Sequence, residues 1–307
     1  MDNRYIFSPT YQKGRELAPH ISIEAEYGSK VVKGTVYTAA HHQPTMAGLP
    51  APCCDWDIPV VRRHVVLVSH MDLDTLGGCL RTEKRCQDIF HPQHEAFWNL
   101  AEYVDLNGPH MMGGYISRLG AEEHYQRERA CIYAYWAWAK TQPRLQGDEL
   151  LDVTQIVKKG AHALRKIFGG DPDLIEAGAL FKKSEEELNR TSYDRHIYPN
   201  DDPRDQVILR RSDSFVNHIY NPPGQADVFG GVVSLNTESG AVTISLARPI
   251  EGVSCREVMQ ELFGPEAGGH DGIAGTPRGQ RFTELDRDRA AESLVGQIAL
   301  VKSLKSS

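Results

Sequence analysis

The sequence predicts an α/β protein, with a parallel-sheet N-terminal domain carrying a helical insertion and a smaller C-terminal α/β domain. Three observations predict it. The run His64-Val65-Val66-Leu67-Val68 is β-branched and aliphatic without polar alternation, the pattern of a central strand covered on both faces. From about residue 94 to 190 the apolar spacing is helical. The last hundred residues change character again, to short strands around polar turns and a closing amphipathic helix.

Taken in order, Ile21-Ser22-Ile23-Glu24-Ala25 and Lys30 to Ala39 show partial strand alternation. A turn-rich segment follows from His41 to Asp57, before the apolar strand at 64–68. Ala121 to Lys140 is one long helix, and Glu149 to Phe168 another that stops at Gly169-Gly170. Asp171-Pro172 opens a third, with an N-cap and proline at the first helical position. The stretch from Lys182 to Asp213 is densely charged and holds Pro199 and Pro203, as a helix end followed by a linker would. Val232-Val233-Ser234-Leu235 and Val242-Thr243-Ile244-Ser245-Leu246 flank Asn236 to Gly240 as a hairpin. Ser254-Cys255-Arg256-Glu257 has capping-box spacing ahead of a helix. Ala290, Leu294, Ile298 and Val301 share one face of the last helix. The expected division is 1–190 for the first domain, 191–212 for the linker and 213–307 for the second.

The 307 residues are 40% hydrophobic and 24% charged, the mixture of a globular protein that buries a core. A net charge of −7 argues against a general duplex-DNA binder, whose affinity comes from clustered cations. It leaves nucleotides open, because bound metal ions supply positive charge locally. The apolar runs fall far short of the roughly 20 residues that span a bilayer. Six scattered cysteines make no disulfide framework, and no apolar signal segment opens the chain. These features lead us to expect a reduced, cytoplasmic protein.

The sharpest chemical signal is Val68-Ser69-His70-Met71-Asp72-Leu73-Asp74-Thr75-Leu76-Gly77-Gly78. His70, Asp72 and Asp74 follow the apolar strand directly, and the carboxyl ends of strands are where open α/β sheets bind ligands. Two carboxylates this close repel unless a cation lies between them. Imidazole with carboxylates suits Mn²⁺, Fe²⁺ or Zn²⁺ better than Ca²⁺. Gly77 and Gly78 are expected to open the next helix so that a phosphate can approach its positive end. The alternative is a capping aspartate with a surface histidine and aspartate. A second signal, Gly268-Gly269-His270-Asp271-Gly272-Ile273-Ala274-Gly275 before Arg278, reads as a loop whose amides and cations can hold an anion, or as a plain connection.

In this order, the two signals resemble the DHH phosphoesterase superfamily. His70-x-Asp72-x-Asp74 with Gly77 looks like its first metal motif, and Gly268-Gly269-His270-x-x-Ile273-Ala274-Gly275 resembles the GGHxxAAG signature of the DHH-associated C-terminal domain. The resemblance covers about residues 60–110 and 205–300. It implies a two-metal, typically Mn²⁺, centre in which Mg²⁺, Co²⁺ or Zn²⁺ could substitute. It also implies that Gly268, Gly269 and His270 contact the phosphate or nucleotide, and Arg278, just beyond that loop, is the expected further phosphate contact.

The Asp-His-His triplet of that family is absent. Asp105 and His110, in Tyr103-Val104-Asp105-Leu106-Asn107-Gly108-Pro109-His110, are the choices for a bridging carboxylate and an imidazole on the second ion. His41-His42 is the one adjacent histidine pair, lies ahead of the first motif, and is assigned to the substrate side. For the fourth-motif aspartate, Asp194, Asp201 and Asp213 qualify only by position. Cys53-Cys54 does not have the spacing of a zinc finger. The aromatics Tyr133, Tyr135, Trp136 and Trp138 read as a packed helix face before a base-stacking platform.

The expected function is a phosphohydrolase acting on a nucleotide, a short single-stranded oligonucleotide or a similar phosphate ester. Asp72, Asp74 and His110 would be catalytic, and His70, Asp72, Asp74, Asp105 and His110 would bind metal. Stable duplex DNA and membranes are not expected partners, and a homodimer is open. The alternatives are a degenerate nucleotide-binding relative and a mononuclear metal protein.

Overall fold

The computed structural model describes residues 3–27, 30–41, 49–120, 122–145, 147–197, 202–225, 227–277 and 279–305. The chain is mixed α/β and divides into two units, Met1–Leu106 with Ile116–Lys182, and Asn107–Tyr115 with Lys183–Ser307. No helix among the described residues is long and apolar enough to cross a membrane.

The first unit is built on a five-stranded sheet in the order Tyr37–Ala39, Ile21–Ile23, Val65–Val68, Arg4–Phe7, Leu151–Asp152. The first four strands run parallel and only the last is antiparallel. Val66, Leu67 and Val68 are fully buried, as their unbroken apolar run predicts, and each contributes roughly 1.5–3 kcal/mol by leaving water. The register sets Ile23 beside both Val68 and Ala39. Three neighbouring strands therefore end level, and the residues after each emerge along one edge of the sheet.

Helix Leu73–Arg81 follows the central strand and buries Leu76 and Leu80. Gly77 and Gly78 lie inside it, not at an open phosphate-binding end. A Cβ on Gly77 would meet Cys53 Cβ at 2.5 Å and Trp98 Cζ3 at 2.9 Å; one on Gly78 would meet Pro52 Cβ at 2.6 Å and Ile23 Cγ2 at 2.7 Å. The two glycines let the helix approach the 51–55 loop closely. Helices Glu122–Lys140 and Pro172–Ser192 form where they were expected, and Asp171 Oδ1 accepts the Leu174 N–H at 3.2 Å as an N-cap. The helix expected from Glu149 instead runs Thr154–Phe168, because Leu151–Asp152 pairs as an edge strand with Arg4–Phe7. The helical aromatics are mainly packing: Tyr135 is buried, and Trp136 and Tyr133 lie edge-on to each other. His94 stacks on Phe168, and His91 Nδ1 accepts from Gln93 N.

The second unit carries a six-stranded sheet in the order Gly268–His270, Ile273–Gly275, Val242–Leu246, Gly231–Asn236, Val207–Ser212, Tyr193–Ile197. Helices Cys255–Phe263 and Glu284–Lys305 share a core with this sheet, including Val233, Ile244, Met259, Leu294 and Ile298. Ser254 caps the shorter helix by accepting the Glu257 N–H at 3.3 Å.

The expected linker at 191–212 needs correction, because it contains two strands of this sheet. Charged groups among its described residues find partners inside the unit. Arg287 reaches Asp194 at 2.7 Å, and the fully buried Arg210 donates to the carbonyls of Ile219, Asn189 and Asn221. Charge density reads as solvated coil only when its partners, here up to 93 residues away, are unknown.

Candidate metal centre

The level strand ends position the site. Glu24 follows the Ile21–Ile23 strand directly, while His41 and His70 each stand two residues beyond theirs. Glu24 has φ 48°, a left-handed conformation uncommon for a residue with a side chain, and such strain clusters at functional sites. Its backbone is tied down on both sides: Glu24 N donates to Ala39 O at 2.8 Å, and the Ser69 hydroxyl donates to Glu24 O.

The carboxylate so placed is fully buried and faces two imidazoles at once. Its Oε1 is 3.1 Å from His41 Nε2 and its Oε2 is 3.4 Å from His70 Nε2. On one side His41 Nε2 also lies 3.4 Å from Asp74 Oδ2 and 3.0 Å from Asp105 Oδ2. On the other, His70 Nε2 lies 3.2 Å from Asp72 Oδ2, and its Nδ1 is 3.0 Å from Ser69 Oγ.

Backbone amides orient the acids. Asp72 is the N-cap of its helix, with Oδ1 accepting the Thr75 N–H at 2.8 Å and Oδ2 left toward His70. The capping reading and the ligand reading of Asp72 therefore use different oxygens. Asp74 takes the Cys53 N–H on Oδ1 at 2.7 Å and turns Oδ2 to His41. That amide is the visible contribution of Cys53; burial pushes its thiol well above the usual range.

Exposure falls across the group. The side chains of His70 and Asp72 are 41% and 43% exposed, whereas those of Glu24, His41 and Asp74 are at most 1% exposed. Burial alone would lower the pKa of His41, but hydrogen bonds to Asp105, Asp74 and Glu24 override it and raise the ring to about 12. For His70 desolvation is likewise outweighed by Asp72 and Glu24, giving about 10. Burial raises Asp74 to about 7, with His41 opposing and Glu24, Asp72 and Asp105 adding to the rise. Asp72 goes the other way: desolvation would raise it, yet His70 and the Thr75 amide bring it below its ordinary value.

The donor set fits divalent cations. Ligand atoms of Glu24, His41 and Asp74 all lie within 4.8 Å of one another, and imidazole with carboxylate is the chemistry that holds Mn²⁺, Zn²⁺ or Fe²⁺. Four carboxylates face two imidazoles, a surplus of negative charge that two divalent ions would balance once the imidazoles are neutral.

Of the residues singled out in the sequence, the structure brings together His70, Asp72, Asp74, Asp105 and His41. His41 was expected on the substrate side and instead stands among three of the acids. Glu24 was missed: its alternating neighbours made it look like one more strand residue, although an acid just past a buried strand was the available signal. His110 belongs to the second unit, where its ring packs 4.5 Å from that of Tyr220. Burial lowers its pKa to about 4, and its Nε2 is buried without a hydrogen-bond partner among the described residues. Gly268, Gly269 and His270 form an edge strand of a tight hairpin with Ile273–Gly275, rather than an open loop. Gly269, at φ 147°, has no room for a Cβ, which would meet Ile273 O at 2.3 Å. His42, Arg278 and the side chain of His270 lie outside the described part, as does Asp201.

No family model matches the chain, and no curated protein matches it. One solved structure, an uncharacterized protein from Helicobacter pylori G27, is similar at 15% identity over 76% of this chain and 74% of that one. Its TM-score is 0.22, too low to carry an argument about fold or function.

Proposed function

We propose that this protein is a divalent-metal-dependent phosphohydrolase of the DHH phosphoesterase kind, acting on a phosphate ester such as a nucleotide or short oligonucleotide. The observation that carries the reading is the Glu24 carboxylate, whose two oxygens face two separate donor groups. Glu24, His41, Asp74 and Asp105 would hold one ion; Glu24, His70 and Asp72 would hold the other, with Mn²⁺ the first choice. When bound, such ions activate water and offset the charge that grows on phosphoryl oxygens. The histidine pair precedes the His-x-Asp-x-Asp motif in sequence, a departure from the family's order, but the strands leading to His41 and to His70 are parallel and lie on either side of Ile21–Ile23 in one sheet.

The protein's own groups have separable tasks. The Cys53 amide and the Thr75 amide fix the angles of Asp74 and Asp72. Ser69, between Glu24 O and His70 Nδ1, sets the His70 ring, an outer contact of the kind that orients ligating histidines. His70 and Asp72, open to solvent, are the side from which an anionic ester would enter, while the buried side excludes water.

The test is metal content together with hydrolysis of bis-p-nitrophenyl phosphate, comparing the parent with Asp72→Ala plus Asp74→Ala. About two Mn²⁺ per chain and turnover in the parent alone are expected; equal rates in both proteins would remove the assignment. The tight Glu24–His41–Asp74 group favours a second reading, a single-ion protein. One bound zinc without hydrolysis would establish that reading instead.

A further inference from the structure

We propose that the cavity beside His70 seats the base of a nucleotide substrate, with Trp138 as its stacking wall; this rests on the phosphohydrolase reading of the adjoining acids. The cavity measures about 690 Å³ and lies wholly within the first unit. Sites for small organic ligands run from about 300 to 1,000 Å³. Ser69, His70 and Met71, beside the cluster of acids, line it together with Trp138, Gln142 and Arg144. His70 belongs to both places, so a ligand filling the cavity lies against the ring that faces Glu24 and Asp72.

The Trp138 and Gln142 part of the lining is chemically matched to a base. Trp138 is half-buried, and its indole N–H makes no hydrogen bond among the described residues. Tyr135, buried behind it at 5.6 Å between ring centroids, holds the indole in place. A half-buried tryptophan packed on Tyr135 and lining the cavity can serve as a stacking platform, and every nucleobase offers a π-face to it. The Gln142 amide nitrogen is engaged with Thr141 Oγ1 at 2.8 Å and Trp138 O at 3.3 Å. Its carbonyl oxygen is thereby left to accept from an exocyclic amino group of the adenine type. Arg144 is exposed on the rim and forms no ion pair among the described residues, and a guanidinium suits a phosphate. In a chain of net charge −7, an indole, a free amide carbonyl and an unpaired arginine around one cavity specify an anion with a planar heteroaromatic group.

Equilibrium dialysis with AMP and with ribose 5-phosphate tests this without turnover. The parent is expected to bind AMP at least about tenfold more tightly than ribose 5-phosphate. Trp138→Leu should remove that preference while leaving ribose 5-phosphate binding unchanged, and Trp138→Phe should restore most of it. Because Trp138 also packs on Tyr135, Arg144→Gln on the exposed rim is the second variant, expected to weaken both ligands several-fold. AMP binding no better than ribose 5-phosphate, or unchanged in Trp138→Leu, would overturn the proposal. Base preference without hydrolysis of bis-p-nitrophenyl phosphate would sink the phosphohydrolase reading alone. Hydrolysis without base preference would sink this one alone.

Discussion

Gly77→Ala separates two roles for the same glycine. A phosphate-approach role predicts weaker substrate binding with unchanged stability; the packing seen in the structure predicts the reverse. The added Cβ would lie 2.5 Å from Cys53 Cβ, 2.9 Å from Trp98 Cζ3 and 3.0 Å from Cys53 Cα. Contacts with backbone and Cβ atoms cannot be relieved by rotating a flexible side chain, and overpacking of this kind costs roughly 1–3 kcal/mol. Alanine recovers up to about 1 kcal/mol of helix propensity. Three contacts at 3.0 Å or less put the cost in the upper part of that range, about 2–3 kcal/mol, so the net loss is about 1–2 kcal/mol, or roughly 2–8 °C in Tm for a unit of this size. The residue displaced is Cys53, whose amide holds Asp74 Oδ1. Mn²⁺ affinity should accordingly fall by about tenfold, as when an outer hydrogen bond to a metal ligand is lost. Scanning calorimetry of the metal-free protein gives the first number and titration calorimetry with Mn²⁺ the second. Gly113→Ala is the control, since nothing lies within 4 Å of a Cβ there. A Gly77→Ala protein that melts with the parent and binds Mn²⁺ equally well would refute the reasoning.

Other outcomes follow from the same geometry. Glu24→Gln, which removes the one carboxylate facing both imidazoles, should reduce bound Mn²⁺ below one per chain by elemental analysis; a full complement would show that Glu24 is not shared. With His41 at about 12 and His70 at about 10, both rings hold protons at pH 7.5, whereas ligation needs them neutral. Mn²⁺ binding should then release about two protons and tighten as pH rises, read by calorimetry in buffers of different ionisation heat; affinity independent of pH would contradict the assignment. The sign for Asp74 in the metal-free protein is set by its raised value of about 7. Its stabilising contribution is complete below 3.8 and lost as pH rises through 7, so the metal-free protein should melt lower at pH 8 than at pH 6 by an amount that Asp74→Ala diminishes. Arg210→Leu in the second unit strands the carbonyls of Ile219, Asn189 and Asn221, and should cost on the order of 3 kcal/mol in urea unfolding. A loss below about 1 kcal/mol would show that those carbonyls find other partners.

The sequence by itself determined the central strand, the helices after residue 121, the capped hairpin-and-helix unit at the end, and the His70, Asp72, Asp74 constellation. Each of those is local: an unbroken apolar run, a 3.6-residue period, a capping spacing, or ligand types within five positions of one another. Only the tertiary structure decided that Glu24 and His41 join them. They lie 46 and 29 positions before His70, and they meet it because parallel strands in register end level, a relation that no window of sequence contains. The same distance effect hid the 191–212 strands, whose charges looked solvated until partners far along the chain closed over them. Pairing across the sheet, rather than the composition of any one segment, turns scattered acids and histidines into a single centre.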